Sequence, residues 1–182
     1  MSCVSAPLAE IRRPTRTARR NPILSLAAAC LLLGSVSPPA HADSVAAARS
    51  AYARGDFVRA VRVLTPLALH GDARAQAMLG FMYENGFGTP QAYVVATDLY
   101  CQAAAAGDPF AQAMLGLMYD KGHGVPQDVV LAYKWLNLAA ANTGHAQRSY
   151  YLRLRNAVAS KMSASQIAQG QAMALAWVPG RL

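Results

Sequence analysis

Residues 75–91 read AQAMLGFMYENGFGTPQ, and residues 111–127 read AQAMLGLMYDKGHGVPQ. The offset is 36 residues, and the identities run on past the block: Ala96, Ala103 and Ala104 recur as Ala132, Ala139 and Ala140. A fixed period of this length marks a stacked array, because a single unit cannot bury its apolar face alone.

Each unit, 72–107 and 108–144, reads as two helices. Asp72 and Asp108 stand as N-caps, where a carboxylate accepts unpaired backbone N–H groups and suits the helix dipole. Pro109 at a first helical position reinforces the second start. Ala75, Met78, Leu79, Met82 and Tyr83 share one side of a 3.6-residue wheel, the pattern of a buried stripe. Gly86 with Gly88, and Gly122 with Gly124, end the first helices, and Pro90 and Pro126 keep the connections extended. The second helices are expected over 92–106 and 128–142, with small residues at Ala96, Ala103, Ala132 and Ala139 that let neighbours approach. Gly80 and Gly116 lie mid-helix, where glycine costs about 1 kcal/mol relative to alanine. That cost predicts close helix crossings at both.

Outward from the repeats, residues 43–71 read as a partial unit with amphipathic helices over 44–54 and 57–70 around Gly55-Asp56. Residues 145–182 read as a closing pair. One helix covers 145–160, and Ser163-Ala164-Ser165-Gln166 is a capping box that starts another ending near Trp177. Ile167, Met173, Leu175 and Trp177 are candidates to cover the apolar end of the array.

The first 42 residues are of another kind. Arg12, Arg13, Arg16, Arg19 and Arg20 precede an apolar run from Ile23 to Val36, and Ala40-His41-Ala42 follows Pro38-Pro39. That order is a secretory signal peptide, cleaved after Ala42. The run is too short for a membrane-spanning helix. Cys30 continues the run and lacks the aliphatic residue that a lipoprotein cysteine needs. Export implies a periplasmic or secreted mature chain with no stable membrane span after cleavage. It leaves Cys101 as the one cysteine, expected as a free thiol, either partly exposed beside its apolar stripe or inert and buried.

Of 182 residues, 54% are hydrophobic and 14% charged, which excludes a disordered chain. The net charge of +8 splits evenly: five arginines oppose Glu10 in residues 1–42, and twelve basic residues oppose eight acidic ones in the rest. Half of the basic excess thus belongs to the leader. Nucleic acid is not an expected partner.

The pattern Ala-x3-Leu-Gly-x2-Tyr-x2-Gly-x-Gly-x-Pro resembles the signature of Sel-one-like repeats (SLR), an α-solenoid family related to the tetratricopeptide repeat. It is met at Ala75, Leu79, Gly80, Tyr83, Gly86, Gly88 and Pro90. It is met again at Ala111, Leu115, Gly116, Tyr119, Gly122, Gly124 and Pro126. The second unit continues with Asp128, Ala132, Trp135, Ala139 and Ala140. The first departs, with Ala92 for the Asp and Leu99 for the Trp. Tyr52 to Phe57, with Ala60 and Leu64, resemble a tetratricopeptide turn. The resemblance implies an all-α solenoid of antiparallel helical hairpins in a right-handed superhelix, about four hairpins in all. It also implies an adaptor that binds another protein or peptide, without catalysis.

A search for chemistry returns little. His70, His123 and His145 are far apart, and none has a ligand at i+3 or i+4, so no metal site is expected. The Gly-x-Gly pairs follow helices rather than strands and fail as phosphate loops. Glu84 is the sole Glu after residue 42. No cofactor is expected. The alternative reading is an envelope-associated enzyme or enzyme inhibitor acting on cell-wall or polysaccharide substrates.

Opposite Ala75, Leu79 and Met82 on the wheel lie Ala77, Phe81 and Glu84, and in the next unit Ala113, Leu117 and Asp120. In tetratricopeptide-type superhelices the first helices line the concave face, so the resemblance places this strip on a groove. It would offer backbone access, an apolar anchor and an acidic rim to a peptide with apolar and basic side chains. Equally, Phe81 and Leu117 could pack between neighbouring first helices.

Overall fold

The computed structural model describes residues 41–180, so the leader lies outside the described residues except for its last two positions. Eight helices follow one another: α1 His41–Ala53, α2 Phe57–Leu69, α3 Ala73–Asn85, α4 Tyr93–Ala105, α5 Pro109–Lys121, α6 Val129–Asn142, α7 His145–Ala159 and α8 Ala164–Leu175. No strand occurs among the described residues. The chain is an all-α solenoid. Among these residues no helix is long and apolar enough to cross a membrane.

Local chemistry sets the helix ends. Asp72 and Asp108 each accept from the backbone three residues on, Ala75 N and Ala111 N, at 2.8 Å. Asp128 accepts from both Val130 N and Leu131 N at 2.9 Å. Ser163 and Gln166 close a reciprocal capping box at α8. At α4 the cap residue is Ala92, and no side chain serves the free N–H groups there. Gly86 and Gly122 end α3 and α5 in the left-handed region, at φ 71° in both. The last carbonyls of these helices are met by the loops that follow: Gln91 Nε2 donates to Glu84 O and Gln127 Nε2 to Asp120 O, both at 2.7 Å.

From α2 to α6 each helix packs on the one before and the one after. A first helix therefore has two partners: α3 lies between α2 and α4, and α5 between α4 and α6. Two apolar clusters result. Ala75, Leu79 and Met82 join the N-terminal one, while Ala77, Ala96 and Tyr100 join the larger C-terminal one.

The two mid-helix glycines sit at close crossings. A Cβ on Gly80 would stand 3.0 Å from the Tyr100 ring and 3.2 Å from Ala96 O. On Gly116 it would stand 2.8 Å from Leu136 Cγ and 3.1 Å from Ala132 O. Beside each crossing a buried glutamine ties three helices together. Gln76 Nε2 donates to Ala68 O of α2 and to Gln102 Oε1 of α4. Gln112, fully buried, donates to Ala104 O of α4 and accepts from Asn142 Nδ2 at the end of α6.

The Gly-x-Gly loops also bind one unit to the next. A Cβ on Gly88 would come within 2.6 Å of the Phe57 carbonyl carbon, and one on Gly124 within 2.7 Å of Thr97 Oγ1, closer than a side chain can go. The residue between the glycines then stacks on the preceding second helix. Phe87 lies on Phe57 with ring centroids 4.8 Å apart, and His123 on Tyr93 at 4.5 Å.

The C-terminal end departs from this order. Helix α8 packs on α6 rather than forming a hairpin with α7. Gly170 makes this possible, since a Cβ there would meet the Tyr133 ring at 2.9 Å. Ile167 and Trp177 pack against the core as expected. Leu175 does not: it is 89% exposed, because α8 turns its other face to α6. The chain then runs back to α4, where Gly180 N donates to Ala105 O at 2.8 Å. Cys101 of α4 is buried and disulfide-bonded, contrary to the expected free thiol.

Candidate functional site

Because α3 and α5 are gripped from two sides, their open surface is narrow. On α3 it runs through Arg74, Met78, Phe81 and Asn85, and on α5 through Phe110, Met114, Leu117 and Lys121. Both follow the i, i+4, i+7, i+11 spacing of one helix face. Arg49 and Tyr52 continue the surface on α1. A cleft of about 350 Å³ opens between these helices, with Val45 and Arg49 on one side, Arg74, Met78 and Phe81 along it, and Asp108 and Phe110 on the other.

The floor of the cleft is a row of rings. Phe81 lies 6.2 Å from Tyr52 of α1 and 6.2 Å from Phe110 of α5. It thus packs between neighbouring first helices and lines the cleft as well. The ring is half-buried.

The other five strip residues fare differently. Leu117 is half-buried and faces the open strip. Ala77 lines the cleft at 3% exposure, whereas Ala113 is fully buried and gives a ligand no backbone access. Both lie opposite a single stripe on the wheel, but a second packing neighbour covers most of that side. The open strip is centred about a sixth of a turn away. The acidic rim is also absent. Glu84 Oε2 accepts from the buried Tyr100 hydroxyl at 2.7 Å, and Asp120 pairs with Lys161 at 2.9 Å. Burial first, and then Glu84, push the Tyr100 phenol far above its ordinary range.

The charges that do face the cleft are Arg49, Arg74 and Asp108. Asp108 is occupied in capping α5. Burial raises its carboxyl above the usual range, partly offset by backbone hydrogen bonds and by Arg74. Among the described residues no group of three or more His, Cys, Asp or Glu side chains gathers as a metal would need.

The repeat geometry agrees with what the chain is similar to. The Sel1 repeat model matches residues 73–108 and 109–143. A Sel1 repeat protein of Oxalobacter formigenes, of known structure, is 36% identical over 63% of this chain and 89% of its own length, with a TM-score of 0.53. The chain belongs to the Sel1 repeat family. A second solved structure is a protective antigen of uropathogenic Escherichia coli strains displaying an SLR fold. It matches 76% of this chain at 24% identity with a TM-score of 0.71, and shares the fold. This chain spans 30% of that antigen's length. No curated protein matches the sequence. Sel1 repeat proteins are generally protein-interaction scaffolds.

Within the Sel1 repeats the motif residues are structural. Leu79, Leu115 and Trp135 are buried, at 5%, 0% and 3% exposure, and Tyr119 is at 9%. Tyr83 is half-buried between the two clusters. Gln76 and Gln112 stand in the sequence as identities at the repeat offset, with nothing in residue type to mark their role. Their position one residue after the stripe's first alanine, in both Sel1 repeats, was the available signal. Arg74 and Phe110 occupy equivalent positions of the two Sel1 repeats and differ, so the period carries no sign of either as a site residue.

Proposed function

We propose that the chain is an exported scaffold that binds a partner protein or peptide along the face shared by α1, α3 and α5, without chemistry of its own. The observation that carries this reading is the cleft, to which three successive first helices each contribute. Half-buried Met78, Phe81, Met114 and Leu117 give that face an apolar strip along its length. Stacked repeats present such a strip to extended ligands, which gain affinity from many shallow contacts in register.

The test is capture of envelope proteins by the purified protein, compared with a Met78→Ala, Leu117→Ala variant. Capture lost at unchanged helicity and melting temperature supports the groove. Equal capture by the variant overturns it.

Export rests on the basic, apolar and Ala40-His41-Ala42 segments of the leader. Mass measurement of protein recovered from the periplasm or medium should place the N-terminus at Asp43. Cys3 and Cys30 precede that point, so a chain that begins at Asp43 keeps Cys101 as its one cysteine.

A further inference from the structure

We propose that Arg49 and Arg74 receive an acidic side chain of the bound peptide, and that the apolar side chain next to it seats on Met78, Phe81 and Phe110. The inference rests on the groove reading above and names its ligand chemistry.

The first observation is the shape of the space. The cleft of about 350 Å³ continues into a second recess of about 470 Å³ beside the start of α3, and Val45, Arg49 and Arg74 line both. Each recess suits one or two side chains, and their continuity suits an extended chain rather than a compact molecule.

The second is charge. Arg49 projects from α1 and Arg74 from α3, both exposed. Arg54 bonds Ser50, Arg155 bonds Asn137 and Arg153 lies over Tyr150, while Arg49 and Arg74 are the arginines that line the cleft. Among the described residues Arg49 and Arg74 form no salt bridge or side-chain hydrogen bond. Arg74 acts on the Asp108 carboxylate electrostatically without forming an ion pair with it. Asp72 and Asp108 each hold a helix N-terminus, whose partial positive charge they neutralise. Two guanidiniums on neighbouring helices can grip one carboxylate from both sides, with the planar donor geometry that suits it.

The third is the floor. Phe81 and Phe110 are half-buried aromatic rings directly beside the arginines, and Met78 adds a deformable apolar edge. An acidic residue followed by a leucine, methionine or aromatic residue satisfies both halves of the cleft. The protein's own leader does not, since its five arginines in residues 12–20 would repel Arg49 and Arg74.

The experiment is selection of capped random hexapeptides on the purified protein. A fluorescein-labelled consensus peptide is then titrated against wild type and an Arg49→Glu, Arg74→Glu variant. Recovered peptides should be enriched in Asp or Glu beside an apolar residue. The consensus peptide should bind the variant at least tenfold more weakly at unchanged melting temperature, and binding to wild type should weaken with added salt. Peptides without acidic preference, or undiminished binding by the variant, overturn this inference and leave the groove reading standing. Recovery of no peptide overturns both. Self-association in sedimentation that the variant abolishes would assign the cleft to a second copy of the chain and overturn the inference too.

Discussion

Gly116 on α5 faces Leu136 on α6 with no space for a methyl group: a Cβ there would stand 2.8 Å from Leu136 Cγ and 3.1 Å from Ala132 O. Leu136 is fully buried and the carbonyl belongs to a helix, so neither yields cheaply. Gly116→Leu should therefore destabilise by about 1–3 kcal/mol, despite the better helix propensity of leucine. Thermal unfolding checks it, and an unchanged midpoint would mean the crossing opens freely.

The buried glutamines make a separate contribution. Gln112 satisfies Ala104 O at the end of α4 and takes the Asn142 amide at the end of α6. Gln112→Leu keeps the volume and removes one donor from Ala104 O, which still accepts from Gly107 N at 3.0 Å, so the loss is that of one net hydrogen bond, about 0.5–1.5 kcal/mol. In urea the midpoint should fall with the slope unchanged, as for a loss of stability without a change in exposed surface.

Helix α4 is the one second helix of the Sel1 repeats without a side-chain cap. Ala92 holds φ −150° and ψ 94°, close to the φ −149° and ψ 104° of Asp128, its counterpart one repeat on. Ala92→Asp should thus complete the cap without moving the backbone. The expected gain is about 1 kcal/mol, read as a rise of a few degrees in melting temperature. No rise would show that the loop holds the new carboxylate away from the N–H groups of α4.

How far the sequence carries can be judged from these same residues. The 36-residue period, the aspartate caps, the left-handed glycines and the close crossings at Gly80 and Gly116 are local signals, and each unit states them on its own. The groove is not local. Ala77 is opposite the stripe of α3 on a wheel, yet buried, because α2 and α4 together cover more of α3 than one partner would. Glu84 and Asp120 look like rim acids until Tyr100 and Lys161 claim them. Lys161 comes from 41 positions away, a separation that no spacing rule reaches. The return of α8 onto α6 is illegible for a similar reason: it depends on Gly170 meeting Tyr133, a pairing with no periodic trace.

Trp177 gives a test of that return. Its ring stands edge-on to Trp135, with centroids 6.4 Å apart and planes at 72°, while its indole N–H is buried without an acceptor among the described residues. The apolar contact and the unmet donor act in opposite directions. Trp177→Phe keeps an aromatic edge for Trp135 and removes the donor, whose burial costs about 1–3 kcal/mol. It also loses part of the ring volume, at a cost of similar size. The two should nearly cancel and leave stability within about 1 kcal/mol of wild type. Trp177→Ala loses the contact entirely and should cost about 3 kcal/mol, releasing the segment that ends with Gly180 on Ala105. Thermal unfolding ranks the three proteins, and amide exchange at Gly180 reports the release. If Trp177→Phe is as damaging as Trp177→Ala, the indole N–H has a partner in the folded protein and does not oppose the apolar contact.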